Sequence, residues 1–539
     1  MSFTFLEALA VGLYYYVANL DVVAFPFACV SLQDAAFTGL VLGVVFGDVQ
    51  TGLILGATIA LIYMGAMAAG GTLPSDQCIA ACIVVPIAIK SGMDIDTAVA
   101  LSIPLATIGA MLDNVRRISA GIWHRKAEKH LKQQQFHKFT LDATVGPLCV
   151  SALLRIVPVT ALLYIFGGMA GEVVQRFPEW LLNAFGVMTD LLPGIGFSLL
   201  VNFIGKPYLI PYYFFGFILA KLAGLGSITI AVISVCAAFL HVQFIRFEDD
   251  SSVAQHVDAV PAPNDAPPTK GKLSNRELFA SGYHFFFWFR VAQCVEYLYS
   301  TSVSWALMKP LKKIYGKNKE GLSKALLRHM EPYICSPTCS TLALGATLAM
   351  DEDIAQNGDP TGEKGETIST LRTSTMGVLL SLGDSLELPL IWPILKSIFY
   401  PLALQGMIIG AFPSHFFNLF GNIVGMILWF TGYRLGRTGL AKILNSPKLK
   451  KILLGAAVVG MAMLGSMTAG NVDLSLAVTY TSNGVTNSLN GVFDGIMPGF
   501  LTLAYMAVLY YAEKKGVNLT LLLCVVCVLA LVGAFFGIL

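Results

Sequence analysis

FEDDSSVAQHVDAVPAPNDAPPTKGK, residues 247–272, separates two long apolar blocks and shares neither's character: it is acidic and carries Pro261, Pro263, Pro267 and Pro268. Lipid offers its backbone no hydrogen bonds, and its prolines forbid a regular helix that would satisfy them internally, so this stretch belongs in water. It reads as a flexible cytoplasmic linker. The chain then divides into a membrane domain at 1–246, the linker at 247–272 and a second domain at 273–539, in which 273–375 is expected to form cytoplasmic or interfacial helices and 376–539 membrane spans. The expected fold class is an all-α polytopic membrane protein with two helical membrane domains, re-entrant or broken helices, and cytoplasmic amphipathic helices at the start of the second domain.

Composition agrees. Over 539 residues, 55% are hydrophobic and only 13% charged, with a mean hydropathy of +0.69; a soluble enzyme is excluded. The placement of cations is more telling than the net charge of +2. Arg116, Arg117, Arg125, Lys126, Lys129, Lys132 and Lys138 face a single acid, Glu128, which reads as a cytoplasmic loop by the positive-inside bias. Arg434 to Lys451 and Lys514–Lys515 mark two further inner loops. Several of the ten cysteines (Cys82, Cys149, Cys524, Cys527) lie in apolar runs and read as small buried thiols; Cys335 and Cys339 are expected reduced on the cytoplasmic side. The N-terminal MSFTFLEALAVGLYYYVANLD lacks a basic leader region and cleavage site, so it is expected to remain as the first membrane segment.

Apolar runs at about 5–29, 37–68, 77–91, 97–112, 142–170, 181–204, 209–223 and 227–246 fill the first block, and at 376–411, 413–433, 452–470, 490–512 and 517–539 the second. Several are interrupted: Asn19 and Asp21 break the first, Asp48 divides GLVLGVVFGDVQTGLILGA, and GAMAAGGTLPSDQ (65–77) is glycine-rich and ends beside an acid. Irregular backbone at membrane depth is tolerated where protein or a wet cavity covers it, so a polar site is expected there. Residues 273–330 alternate apolar and polar positions at helical spacing and read as amphipathic helices on the inner face.

No phosphate loop, dinucleotide fingerprint, HExxH or GxSxG pattern occurs. No catalytic residue, metal ligand set or cofactor is expected, and no nucleic acid among the partners. What remains are polar groups at membrane depth: Asp21, Asp48, Asp76, Lys90, Arg155, Asn202, Lys206, Asp384 and Glu387. Such groups are costly in lipid and mark functional sites.

VLGVVFGDVQTGLILGAT (41–58), the small-residue loop ending at Asp76, and VNFIGKPYLIPYYFFGF (201–217) resemble the enzyme IIC subunit of mannose-type sugar phosphotransferase systems. KALLRHMEP (324–332), TLALGATLAMDE (341–352), GVLLSLGD (377–384), IMPG (496–499) and EKKGVN (513–518) resemble enzyme IID of the same systems. The order IIC, linker, IID fits the anatomy read from the residues. The resemblance implies a sugar permease of the bacterial cytoplasmic membrane without chemistry of its own, working with a cytoplasmic phosphohistidine IIB (IIAB) protein that phosphorylates the emerging sugar, and assembled as a homotrimer.

Position by position, the family's TLE…N…D segment is met by Thr58 and Asp76, with Ala60 and Ala68 at the other two places; of its WNFERMQ motif, over Gln293 to Tyr299, the acid Glu296 remains. Arg328, His329, Glu331 and Pro337 match a later motif in which an amide is replaced by Ile334, and the family's GDP reads Gly383-Asp384-Ser385. Lost hydrogen-bonding positions imply a ligand other than unmodified glucose or mannose, such as a sugar derivative. Asp76, Thr58 and Glu296 are expected to bind its hydroxyls with Asn202 in support, while Asp48, Asp384, Glu331 and His329 structure loops or serve as secondary polar positions. Two other readings remain open: an ion-coupled secondary sugar transporter using Asp21, Asp48 and Asp384, and a non-transporting membrane receptor or scaffold derived from the family.

Overall fold

The computed structural model describes residues 3–64, 76–167, 178–204, 207–244, 273–359, 361–387, 391–444, 447–482, 485–517 and 519–539. The linker 247–272, most of the glycine-rich loop 65–77, and Lys206 lie outside them. The chain is a polytopic helical membrane protein. Among the described residues, the helices Ile95–Lys132, Phe136–Phe166, Glu179–Asn202 and Pro413–Arg434 are long and apolar enough to cross a bilayer, and Leu489–Ile496 with Phe500–Lys514 forms a pair bent by 82°.

The first block begins with α1 (Phe5–Ala18), which ends where Asn19 and Asp21 were expected to break it; Asp21 has φ 57°. The short α2 (Cys29–Leu32) follows. Then α3 (Ala35–Phe46) and α4 (Val49–Ile62) form a helical hairpin turned at Gly47-Asp48, with Gly47 at φ 84° and the Asp48 carboxylate accepting from the Thr51 amide at 3.0 Å. These two helices touch backbone to backbone: a Cβ on Gly39 would stand 2.1 Å from the Gly52 carbonyl oxygen. Small residues give such close approach in lipid, where apolar burial alone does not hold helices together. Next come α5 (Gln77–Ser91), α6 (Ile95–Lys132), α7 (Phe136–Ala143), α8 (Val145–Phe166), α9 (Glu179–Ile204), α10 (Ile210–Lys221) and α11 (Ser227–Phe244).

The basic stretch from Arg116 onward is therefore a continuation of the 38-residue helix α6 rather than a loop. Its first two arginines turn inward: Arg116 and Arg117 are buried and bonded to Asp113. The spacing of Asp113 to both arginines, three and four residues, makes them neighbours on one helix face. Arg434 to Leu444 likewise belongs to the helix Pro413–Leu444, and Lys448 to Lys451 to the helix Pro447–Asn471.

The second block opens with the amphipathic α12 (Asn275–Trp288), α13 (Ser300–Tyr315) and α14 (Lys319–His329), followed by α15 (Pro337–Asn357), α16 (Glu363–Leu386), α17 (Trp392–Leu404), α18 (Pro413–Leu444) and α19 (Pro447–Asn471). A short hairpin, β1 (Thr479–Ser482) against β2 (Val485–Ser488), pairs Thr479 with Ser488 and was not foreseen. Then α20 (Leu489–Ile496), α21 (Phe500–Lys514) and α22 (Leu519–Phe535) complete the chain.

The cores do not follow the covalent halves. One joins α1, α3 to α5 and α8 to α11 with Tyr400, Ala411 and residues of α19, α21 and α22; the other gathers α12 to α15 with Val22, Val23, Ala127, Leu131 and Phe139 of the first block. The halves interlock through backbone as well, the Val23 amide donating to the Phe286 carbonyl at 3.0 Å. All ten cysteines are free thiols; Cys78, Cys82, Cys335 and Cys339 are buried, whereas Cys149 and Cys524 sit on outward helix faces rather than in the core.

Candidate functional site

Where the two halves meet, they enclose a cavity of about 170 Å³. The first block lines it from the end of α1 (Asn19, Asp21), from Asp76 and Gln77, and from Asp113, Arg117 and Arg155; the second from Phe286, Arg290, Tyr299, the 334–338 segment, Glu387, Trp392, Lys396, Phe417 and Asn418. Five aromatic rings, Tyr63 among them, beside four acids and four bases give the mixed wall of a site for a small polar ligand.

Asp76 enters this wall as the N-cap of α5. One carboxylate oxygen accepts the amides of Cys78 (2.9 Å) and Ile79 (3.2 Å), and the other accepts the Tyr15 hydroxyl at 2.7 Å. The Asp76 amide in turn donates to Ala106 on α6. A carboxylate offers about four acceptor positions, so the three bonds in place hold Asp76 rigid and leave it room to accept one more.

Asp113 anchors an ion network at the cavity wall. It pairs with Arg116 (2.8 Å), Arg117 (2.6 Å) and Arg155 (3.2 Å), and Arg116 reaches on to Asp21 at 3.2 Å. Arg155 also donates to the Asn19 carbonyl, tying α8 to the break after α1. Arg290 comes from the second block and reaches Asp21 only at 4.0 Å. Paired charges are tolerated at this depth because each lost hydration shell is replaced by fixed partners.

On the opposite side, Asp34 caps α3 and accepts the hydroxyls of Tyr400 (3.0 Å) and Ser414. Lys396 of α17 stands 3.7 Å from it and 4.3 Å from the centroid of the Trp392 ring, which stacks on Phe417.

The other expected site residues lie elsewhere. Thr58 donates to the Ile54 carbonyl one turn back within α4. Asn202 of α9 donates to Glu513 of α21 at 2.9 Å, fastening the C-terminal helices to the first block. Glu296 is exposed and pairs with the equally exposed Arg125 at 2.8 Å. His329 is buried among the amphipathic helices of the second block, with Nε2 2.8 Å from Asp351, and Glu331 accepts the Ser369 hydroxyl. Asp48 stabilises the α3–α4 turn. Asp384 falls in α16, with its side chain outside the described set.

Sequence reading missed Asp34, Asp113, Arg290, Trp392 and Lys396. A signal existed for one of them: Lys396 is a lone cation inside PLIWPILKSIFYPLAL, the pattern that marks an intramembrane site. Asp34 and Asp113 flank apolar runs and look like span ends, and nothing local pairs them with residues more than 40 positions away.

A family model described as PTS system sorbose-specific IIC component matches residues 5–240, and one described as PTS system mannose/fructose/sorbose family IID component matches residues 272–539. The chain is 28% identical to the fructose permease IID component of Bacillus subtilis (strain 168), over 47% of this chain and 90% of that protein. It is 32% identical to the sorbose-specific EIID component of Lacticaseibacillus casei, over 43% and 83% respectively. Its first half is 25% identical to the mannose-specific EIIC component of Escherichia coli (strain K12), over 37% of this chain and 76% of that one. A cavity walled by both halves, in a chain whose halves match the two membrane components of one transport system, leaves a single assignment: this protein belongs to the mannose/fructose/sorbose family of phosphotransferase-system permeases, its IIC and IID parts fused in one polypeptide.

Proposed function

We propose that the chain is the translocating unit of a phosphoenolpyruvate-dependent system, and that it carries a sugar or sugar derivative through the cavity between its halves. A separate cytoplasmic IIB protein phosphorylates the sugar as it leaves, trapping it inside. The observation that carries this reading is the cavity itself, in which buried polar groups and aromatic rings from both parts converge. Asp76 is the expected hydroxyl-binding position that lines it; held by Tyr15 and the α5 amides, it accepts a sugar hydroxyl without having to be reorganised. The aromatic rings supply flat apolar faces for the C–H side of the sugar.

Fusion holds the two membrane parts at fixed stoichiometry and keeps their local concentration high. The working form is proposed to be a homotrimer in the bacterial cytoplasmic membrane, as the family resemblance implies. Sugar uptake by inside-filled membrane vesicles tests the reading: uptake should require phosphoenolpyruvate and the cognate soluble carriers. Accumulation driven by an ion gradient alone would overturn it in favour of a secondary transporter.

A further inference from the structure

We infer that the ligand of this cavity is an anionic sugar, a uronic-acid type whose carboxylate meets Arg290, with Lys396 and Trp392 completing the pocket's donor wall. The inference rests on the permease reading above and specifies its substrate class.

The first argument is charge. The ion network on the cavity's inner side joins two carboxylates, Asp21 and Asp113, to four guanidiniums, those of Arg116, Arg117, Arg155 and Arg290. The other two acids on the wall are engaged differently: Asp76 by Tyr15 and two amides, Glu387 by the Ser336 hydroxyl. Across the wall as a whole four acids meet four bases, and the opening for an anion is local: Arg290, whose paired acid Asp21 stands 4.0 Å away, beyond hydrogen-bond length, faces the cavity.

The second argument is unused hydrogen-bonding capacity. Among the described residues, the buried Nε of Arg290 and Nε1 of Trp392 have no hydrogen-bond partner, and both residues line the cavity. Lys396, only 3% exposed and paired with Asp34 at 3.7 Å, adds a cation to the same wall. Buried donors of this kind are rarely left unmade in a folded protein. Both open groups are donors and Arg290 is cationic, so the matching group is one that only accepts and carries negative charge. An acceptor is also open: Gln77 Oε1 lines the same cavity without a partner among the described residues and suits a ligand hydroxyl. Donors for a carboxylate and an acceptor for a hydroxyl describe a sugar acid better than a neutral hexose.

The phosphate of a phosphorylated product would offer the same donors a similar anion, so the test separates the two. Binding to the detergent-purified full chain, without soluble carriers, is measured by calorimetry for D-glucuronate and D-galacturonate, for D-glucose and D-galactose, and for glucose 6-phosphate. One of the uronates should bind roughly tenfold or more tightly than its neutral counterpart, the scale of a charge-assisted hydrogen bond. In Arg290→Gln that ratio should fall toward one, and Arg290→Lys should recover part of it; Trp392→Phe, which removes the open indole N–H and keeps the ring, gives an independent second reading should the Arg290 variants fold poorly. Equal or tighter binding of the neutral sugars overturns the inference and leaves the permease reading standing. Binding of glucose 6-phosphate without either uronate also overturns it, assigning the cations to the product. Failure of every probe to bind overturns it too, and the vesicle experiment then decides separately whether the chain transports.

Discussion

Lys396 Nζ lies 3.7 Å from Asp34 Oδ2, and the two side chains, 4% and 0% exposed, come from opposite halves of the chain. Asp34 is held by Tyr400 and Ser414 as well, so the carboxylate that pairs with this buried ammonium is one that the second half itself helps to position. Removing the acid leaves the cation without compensation. Asp34→Ala should lower stability by about 3–5 kcal/mol, the cost of stranding one member of a buried pair. Pairing it with Lys396→Met should recover most of that loss. Thermal unfolding of the detergent-purified single and double variants checks the expectation; additive losses would show that the pair is not coupled.

Close backbone contact makes the α3–α4 hairpin intolerant of side chains. A Cβ on Gly39 or Gly52 would fall 2.1 Å or 2.5 Å from the facing carbonyl oxygen. Gly39→Ala should therefore cost about 1–3 kcal/mol as the helices are forced apart, the usual penalty of overpacking. Because α4 and α5 both back the cavity wall, ligand affinity measured on the same sample should fall with it.

Asp76 combines capping with exposure to the cavity, and two substitutions separate those roles. Asparagine caps a helix nearly as well as aspartate, whereas alanine forfeits about 0.5–2 kcal/mol. Asp76→Asn should keep the melting temperature near that of the parent, and Asp76→Ala should lower it. If the carboxylate accepts a ligand hydroxyl, both variants should lose most phosphoenolpyruvate-dependent uptake in vesicles. Normal uptake by Asp76→Asn would reduce Asp76 to a structural cap.

The sequence announced the membrane class, the breaks at Asn19 and Asp21 and the turn at Asp48, because each is a local conflict between polarity and an apolar surrounding. Asp76 was legible for the same reason. Arg116 and Arg117 were read as loop cations because charge counting does not see that Asp113 precedes them by one helical turn and turns them inward. The Asp34–Lys396 pair, separated by 362 positions (396 minus 34), has no local trace. Motif alignment directed attention to Glu296, yet the surface pair with Arg125 depends on how α6 passes the 289–299 segment, which only packing decides.

His329 supplies a pH dependence whose sign follows from its burial. Removal from water pushes its imidazole below the ordinary value, and the nearby Asp351, 2.8 Å from Nε2, pulls only partly the other way. A group with a depressed folded-state value is protonated first in the unfolded chain, so the unfolded state takes up more protons as pH falls below about 6.5. Stability of the α13–α15 region is then fully present above that pH and declines beneath it. Corrected for the intrinsic effect of pH, protection of amides in 300–357 against hydrogen exchange should be high at pH 7.5 and lower at pH 5.5. His329→Gln keeps a donor toward Asp351 while removing the titration, so its exchange rates, corrected for the intrinsic effect of pH, should change little between the two conditions. An unchanged pH response in that variant would assign the effect to another group.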